Sequence, residues 1–322
     1  MKKMRCLVLG GGGFLGKHLV RALLDEGRYV RSFDRPQNIQ SLSAGDVYNM
    51  VDNEVEYVSG DFLSAQDVET ALKGVDVCFH LISTTIASTS NANPIFDVET
   101  NLLGTLRLLQ SAVKEGVKRI VFVSSGGTVY GRPKTIPIPE DHGTDPTSSY
   151  GITKLAIEKY LKLYSALHGL EYVTLRLANP YGIGQRTDAQ QGAIAVFLSR
   201  ALRGEEISIW GDGSVIRDYI YVDDAIDAMV RAAIVDINGG CVLNIGAGVG
   251  YSLNEILSAI EKVTGCPTKR KYVEGRTYDV PANVLDISAA ALLMGWTPKI
   301  SLDEGLRRFS NWISNEDSSR VL

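Results

Sequence analysis

Along the first half of the chain, short apolar runs alternate with longer amphipathic stretches. M-R-C-L-V-L (4–9), Y-V-R-S-F (29–33), V-E-Y-V-S (55–59), V-D-V-C-F-H-L (75–81), R-I-V-F-V (119–123) and Y-V-T-L-R-L (172–177) read as strands. Between them, residues 14–26, about 94–115 and 150–167 carry apolar positions at helical spacing. The strands lack the apolar–polar alternation of a sheet with one wet face, so both faces are expected to be covered. Strand and helix in strict succession predict an α/β fold with a doubly wound parallel sheet. After Asn179 the pattern changes to glycine-rich loops (G-I-G-Q-R, W-G-D-G-S), short elements and helices at 253–264 and 302–314. The chain therefore divides into residues 1–178 and a smaller mixed C-terminal lobe, 179–322, with parts of 215–248 rejoining the first unit. V-L-N-I-G (242–246) is the segment expected to return to the sheet. No Pro/Ser/Gly spacer separates the two, which favours a cleft between packed lobes.

The first strand runs directly into L-G-G-G-G-F-L-G (9–16), and the first helix follows at once. Gly10, Gly13 and Gly16 allow a sharp turn, close approach of a phosphate to backbone N–H groups, and tight packing of helix on strand. That arrangement predicts a Rossmann-type dinucleotide site, with the pyrophosphate at the helix N-terminus. Asp34 ends the second strand, where an acidic residue binds the adenosine ribose hydroxyls. Its carboxylate opposes a 2′-phosphate and favours NAD over NADP; Arg35 beside it has the opposite preference. Asp61 is placed either to accept a hydrogen bond from adenine or to cap a turn.

Composition narrows the partners. The chain has 322 residues, enough for a substantial core, and a net charge of −4, which gives no basic field for nucleic acid or an anionic membrane surface. The apolar runs are too short to span a bilayer, and Met1-Lys2-Lys3 leads straight into the first strand without the pattern of a signal peptide. Cys6, Cys78, Cys241 and Cys266 show no metal-ligand spacing and read as reduced thiols of a cytoplasmic protein, with no metal site.

The candidate chemistry lies in Y-G-I-T-K, which puts Tyr150 and Lys154 four residues apart on one helix face. A phenol is a weak base at its usual pKa of about 10, and a neighbouring ammonium together with a cationic nicotinamide draws it toward phenolate. Upstream, S-S-G-G-T-V-Y-G (124–131) opens a strand end into small hydroxyls and bare backbone.

With these motifs in this order, the chain resembles the extended short-chain dehydrogenase/reductases that act on nucleotide sugars, and in motif content it is most similar to the UDP-hexose 4-epimerases. N-L-L-G-T (101–105), R-L-A-N-P-Y-G (176–182), R-D-Y-I-Y-V-D-D (217–224) and L-N-I-G-A-G (243–248) extend the resemblance almost end to end. It implies Tyr150 as acid/base and Lys154 as its electrostatic partner and ribose ligand. It further implies Asn101 as a support of the active-site helix or a bound water, and Phe14, Leu15, Phe62, Leu81 and Ser124 beside the cofactor. Asn179 would contact the substrate diphosphate and Arg217 and Arg276 would clamp it, geometry that suits planar guanidinium forks. Each arginine alone also fits a surface ion pair. Trp210 reads as a wall of the nucleotide-base pocket or as a core residue. A homodimer, joined through the helices near 94–115 and 150–167, is a further expectation of the resemblance.

In one place the pattern is broken. Four residues before Tyr130, where the family usually carries the Ser or Thr that bonds the reacting hydroxyl, this chain has Gly126. Thr128 is the preferred substitute, with Ser125 or an ordered water as alternatives. The carboxylate pair of the 4,6-dehydratases is absent, since Gly127 and Thr128 stand there, so dehydration is disfavoured. Asn283 falls where the family can carry a bulky tyrosine restricting an N-acetyl pocket, and its smaller side chain suggests room for N-acetylhexosamines. The expected activity is NAD-dependent 4-epimerisation of a UDP-sugar. A reductase of a 4-keto-6-deoxy nucleotide sugar is the rival enzyme, and a non-catalytic dinucleotide sensor the rival of another class.

Overall fold

The apolar runs become strands of a parallel sheet. They are β1 (Arg5–Leu9), β2 (Tyr29–Asp34), β3 (Val55–Ser59), β4 (Val77–His80), β5 (Arg119–Ser125) and β6 (Glu171–Leu177). The chain then builds β7 (Asn179–Tyr181), β8 (Glu206–Trp210) and β9 (Ile216–Tyr221), returns as β10 (Gly240–Ile245), and continues through β11 (Gly250–Ser252), β12 (Lys269–Val273) and β13 (Ala282–Asn283). This computed structural model describes residues 3–43, 55–187, 192–275 and 280–319. The main sheet has the order β10-β6-β5-β4-β1-β2-β3, so the predicted V-L-N-I-G segment does rejoin it beside β6.

The lack of alternation in these strands has the expected cause. In β1, Cys6 and Val8 enter one apolar core while Leu7 and Leu9 enter a second core on the other face. The first core is closed by helix Phe14–Asp25 and helix Val222–Ala232, the second by helices Ala65–Leu72, Gly104–Lys114 and Ser149–His168. Each fully buried Leu or Phe in these layers contributes about 1.5–3 kcal/mol by leaving water. The sequence order reverses between β1 and β4, and the crevice at such a switch point is where open α/β sheets bind ligands.

In the second lobe, β9 is the central strand: β7 and β13 pair with it in parallel and β11 antiparallel, while β8 and β12 form a separate parallel pair. One prediction changes. The pattern at 94–115 reads as one helix, but the structure has a short helix Pro94–Asp97, a π-helical stretch Val98–Leu103 and then helix Gly104–Lys114. The wider turn carries Thr100 and Asn101 inward, where Asn101 Oδ1 accepts a hydrogen bond from the Thr84 backbone (2.9 Å) and Thr100 meets the Thr84 hydroxyl. π-helical turns of this kind recur at functional sites.

Candidate active site

A cavity of about 370 Å³ opens at the switch point, lined by Gly10 and Gly13 after β1, Asp34 and Arg35 after β2, Asp61 and Phe62 after β3, and Leu81 after β4. Seven of the residues expected beside a dinucleotide thus come together on one wall. The fit is tested at Gly16: a Cβ there would lie 2.0 Å from the Gly10 carbonyl, so only glycine lets the helix start this close to the loop. Asp34 accepts from Gly12 N (3.0 Å), Arg35 N (2.8 Å) and Asn38 Nδ2 (2.7 Å), which fixes an anionic acceptor at the cavity edge. Glycine N–H groups near a helix start and a carboxylate suited to ribose hydroxyls match a dinucleotide such as NAD. Asp61 lines the cavity, and its Oδ1 accepts from Leu63 N (3.0 Å) in a tight turn. Phe14 and Leu15 instead pack against the core from the first helix, and Asn101 acts from behind the Thr84 loop. Asn38 and Phe96, on the short helices 36–43 and Pro94–Asp97, and Ser83 and Thr84, in the loop after β4, also line the cavity; no motif marks them.

The helix Ser149–His168 carries Tyr150 and Lys154, and side chains from other segments satisfy its first N–H groups. Asn91 Oδ1 accepts from Ser149 N (2.8 Å), Ser90 Oγ from Tyr150 N (3.0 Å), and Ser148 Oγ from Gly151 N (3.2 Å). This orients the first turn. Ser83, on the wall of the dinucleotide cavity, is near enough to act on the Tyr150 phenol. Burial, aided by the Asp97 charge, pushes that phenol up to about 12. Lys154 donates to the Val123 carbonyl (2.9 Å) and lies 4.7 Å over the Phe122 ring and 5.5 Å over the Tyr150 ring. Burial pushes its ammonium down to about 8, against the pull of the Asp97 and Glu158 carboxylates. His80, beneath them, is driven down to about 3 by burial and by Lys154, so it is neutral.

The turn after β5 answers part of the question at Gly126. A Cβ at Gly126 would lie 2.6 Å from Leu285 Cδ1 and 3.0 Å from the Arg176 carbonyl, so the family's serine would fit here only if Leu285 shifted. The Gly126 carbonyl accepts from Asn283 Nδ2 (3.0 Å), and Asn283, fully buried, keeps an enclosed Oδ1 with no hydrogen-bond partner. Thr128 Oγ1 is likewise enclosed and without a partner. The Thr128 carbonyl lies 2.9 Å from where a Cβ on Gly151 would sit, which puts this turn against the residue after Tyr150. Ser125 is half-buried on the strand end. Ser124 is not on the cavity wall: β5 turns it toward the helix, and its hydroxyl donates to Glu158 (2.6 Å). Glu158 in turn holds Arg176 (2.7 Å), and Arg176 donates to the Tyr130 phenol (2.9 Å). Four residues beyond Lys154 on one face, Glu158 was open to discovery from sequence spacing alone.

A second cavity, of about 210 Å³, lies in the C-terminal lobe and is lined by Asn179, Trp210, Arg217, Tyr219 and Leu253 among others. Three expected substrate residues thus share one pocket, and Trp210 is a wall residue, 46% exposed. Arg217 donates to the carbonyls of Ile216 (2.9 Å) and Val280 (2.7 Å), and Asn179 donates to the Asp218 carbonyl (2.8 Å). The Asp218 carboxylate, pushed up to about 6 by burial, accepts from the N–H groups of Ala247, Gly248 and Leu285 and ties this lobe to the exit of β10. Arg276 lies outside the described residues.

Comparison with known proteins agrees with this geometry. The family model described as the NAD dependent epimerase/dehydratase family matches residues 6–246. A UDP-glucose 4-epimerase of Mycolicibacterium smegmatis is 36% identical, over 97% of this chain and 99% of the relative. The crystal structure of a Thermotoga maritima UDP-glucose 4-epimerase with UDP-glucose aligns with a TM-score of 0.89 at 36% identity, covering 97% of this chain and 99% of that one. A Thermus thermophilus UDP-glucose 4-epimerase in complex with NAD aligns with a TM-score of 0.86 at 32% identity, covering 97% and 99%.

Proposed function

The chain belongs to the NAD dependent epimerase/dehydratase family, and on that premise we propose that it catalyses the 4-epimerisation of a UDP-hexose through a transient 4-keto sugar. One observation carries the reading: Lys154 Nζ lies 5.5 Å over the ring of Tyr150, whose phenol is within reach of Ser83 on the wall of the dinucleotide cavity. Gly10, Gly13, Asp34 and Phe62 would hold NAD, which when bound would supply the hydride acceptor and donor and, in its oxidised form, a positive charge that favours phenolate.

Tyr150 Oη takes the proton of the sugar 4-hydroxyl as the ketone forms, and returns it once the ketone has turned over in the pocket. Lys154 stabilises the phenolate between these events. The partnerless hydroxyl of Thr128 supports it as the group that bonds the reacting hydroxyl in place of a residue-126 serine, since an enclosed hydroxyl without a protein partner calls for one. Asn179, Trp210 and Arg217 hold the UDP end, so that binding energy stays where no bond changes while the sugar swings. Asn283 turns to the Gly126 carbonyl and adds no aromatic bulk, which supports acceptance of N-acetylhexosamines as well as plain hexoses.

The two units are residues 1–178, rejoined by parts of 215–248, and 179–322, with the sugar between them. Exposed Ile95, Ile152, Leu163 and Leu167 on the expected interface helices support a homodimer, and the buried free thiols of Cys6 and Cys78 suit a cytoplasmic setting. Among the described residues no helix is long and apolar enough to cross a membrane. The test is mass spectrometry of the bound cofactor together with an NADPH oxidation assay. Tightly held NAD and no net NADPH consumption are expected; stoichiometric oxidation with 4-keto-6-deoxy nucleotide sugars would assign the chain as a reductase.

A further inference from the structure

Asp97 is an acidic residue to which the reaction described above gives no task. It ends the short helix Pro94–Asp97, is fully buried, and lines neither the dinucleotide nor the nucleotide cavity. Its Oδ1 accepts from the Thr85 hydroxyl (2.6 Å) and from Asn101 Nδ2 (2.8 Å). Its Oδ2 accepts from the hydroxyls of Ser149 (2.7 Å) and Thr153 (3.0 Å). All four donors are neutral, and a buried carboxylate is costly without a cation.

Hydrogen bonding alone does not require that charge. An asparagine would accept from Thr85 and Asn101 through its oxygen and donate through its amide to Ser149 and Thr153, whose hydroxyls rotate to accept. What the carboxylate adds is negative charge, and its place explains the need. Ser149 precedes Tyr150 and Thr153 precedes Lys154, so the carboxylate grips the catalytic turn at both points.

Resting on the catalytic assignment above, we propose that Asp97 is a positioning residue: its carboxylate supplies the negative charge that stabilises the Lys154 ammonium, and its bonds to Ser149 and Thr153 fix the turn that carries Tyr150. The other charged or titratable groups facing the pair leave this task to Asp97. Glu158, on the same helix, is bound to Arg176 of β6 (2.7 Å), and His80 of β4 is neutral. Of the two carboxylates that favour the Lys154 ammonium, Asp97 acts more strongly than Glu158, and it also favours the protonated phenol of Tyr150. Removing its charge therefore lowers both pKa values.

The test is the titration of Lys154 by NMR, with ¹³C at the lysine ε-carbons and the resonance assigned by its loss in Lys154→Met. In Asp97→Asn the midpoint, about 8 in the parent, is expected to fall by about one pH unit. Both limbs of the pH profile of kcat/KM for sugar interconversion are expected to move to lower pH with it. Ser149→Ala keeps the charge and removes one bond; it is expected to lower kcat and leave the midpoint in place. An unmoved midpoint in Asp97→Asn overturns the inference, as does an equal shift in Ser149→Ala. If Asp97→Asn yields no folded protein, Asp97→Asn combined with Ser149→Asp returns a carboxylate across the same hydrogen bond: a midpoint near the parent's supports the inference and a fallen one overturns it. The titration needs no turnover, so a chain that interconverts no sugar yet shows the shift fails the functional reading alone.

Discussion

Gly126→Ser restores the residue type that the resembled family carries four positions before Tyr130, and the packing around it predicts a loss. The added Cβ would lie 2.6 Å from Leu285 Cδ1 and 3.0 Å from both Leu285 Cδ2 and the Arg176 carbonyl. That carbonyl belongs to β6 and is held in the sheet. Leu285 is fully buried, its N–H donates to Asp218 (3.3 Å), and its backbone bridges to Ile138, so it has little freedom to withdraw. Overpacking of this kind costs about 1–3 kcal/mol, which at roughly 2–4 °C per kcal/mol lowers Tm by roughly 2–12 °C. Thermal unfolding followed by circular dichroism reads the stability, and initial-rate kinetics on the same preparation read turnover. The expected result is a lower Tm with kcat no higher than the parent's. An unchanged Tm with a several-fold gain in kcat would refute the reasoning, because position 126 would then have room for the hydroxyl and Thr128 would not be its substitute.

Thr128→Val removes an enclosed hydroxyl that has no protein partner, so stability should hold or rise slightly; steady-state kinetics should show kcat down about tenfold, equivalent to ~1.4 kcal/mol in the transition state. Glu158→Gln leaves the buried Arg176 guanidinium without its carboxylate, a loss of about 3–5 kcal/mol measurable by urea unfolding; less than ~1 kcal/mol would place the pair with weakly coupled surface bridges. Asp34→Ala should let bound NAD wash out on gel filtration, with affinity down about tenfold or more for the lost charged hydrogen bond, and NADP discrimination reduced.

Local signals carried much of this structure. The glycine spacing at 10–16, the acidic end of β2 and the four-residue step from Tyr150 to Lys154 each express a requirement met within one turn or one strand. They led to the residues that line the 370 Å³ cavity and to the helix that carries Tyr150 and Lys154. What escaped depends on distant segments meeting. Ser83 and Thr84 acquire their place from a loop after β4 that Asn101 holds from the π-helical turn, and no run of residues announces that contact. Ser124 sits in a hydroxyl-rich stretch, yet strand parity turns it to Glu158 rather than to the cavity. Gly126 looked like a missing hydroxyl; its cause is Leu285, more than a hundred residues away, pressing on the space a side chain would need. The break in helix 94–115 was invisible because apolar spacing is the same for a π-turn as for a frayed α-turn over so short a length.

The central claim is recycling 4-epimerisation with resident NAD. Purified protein incubated with UDP-glucose, UDP-galactose and their N-acetylated forms, with no NAD added, tests it most directly, with the products resolved by anion-exchange chromatography. Interconversion of at least one C4 pair to a constant ratio from either side is the predicted result, abolished in Tyr150→Phe. No interconversion of any of the four by a preparation that carries NAD would contradict it.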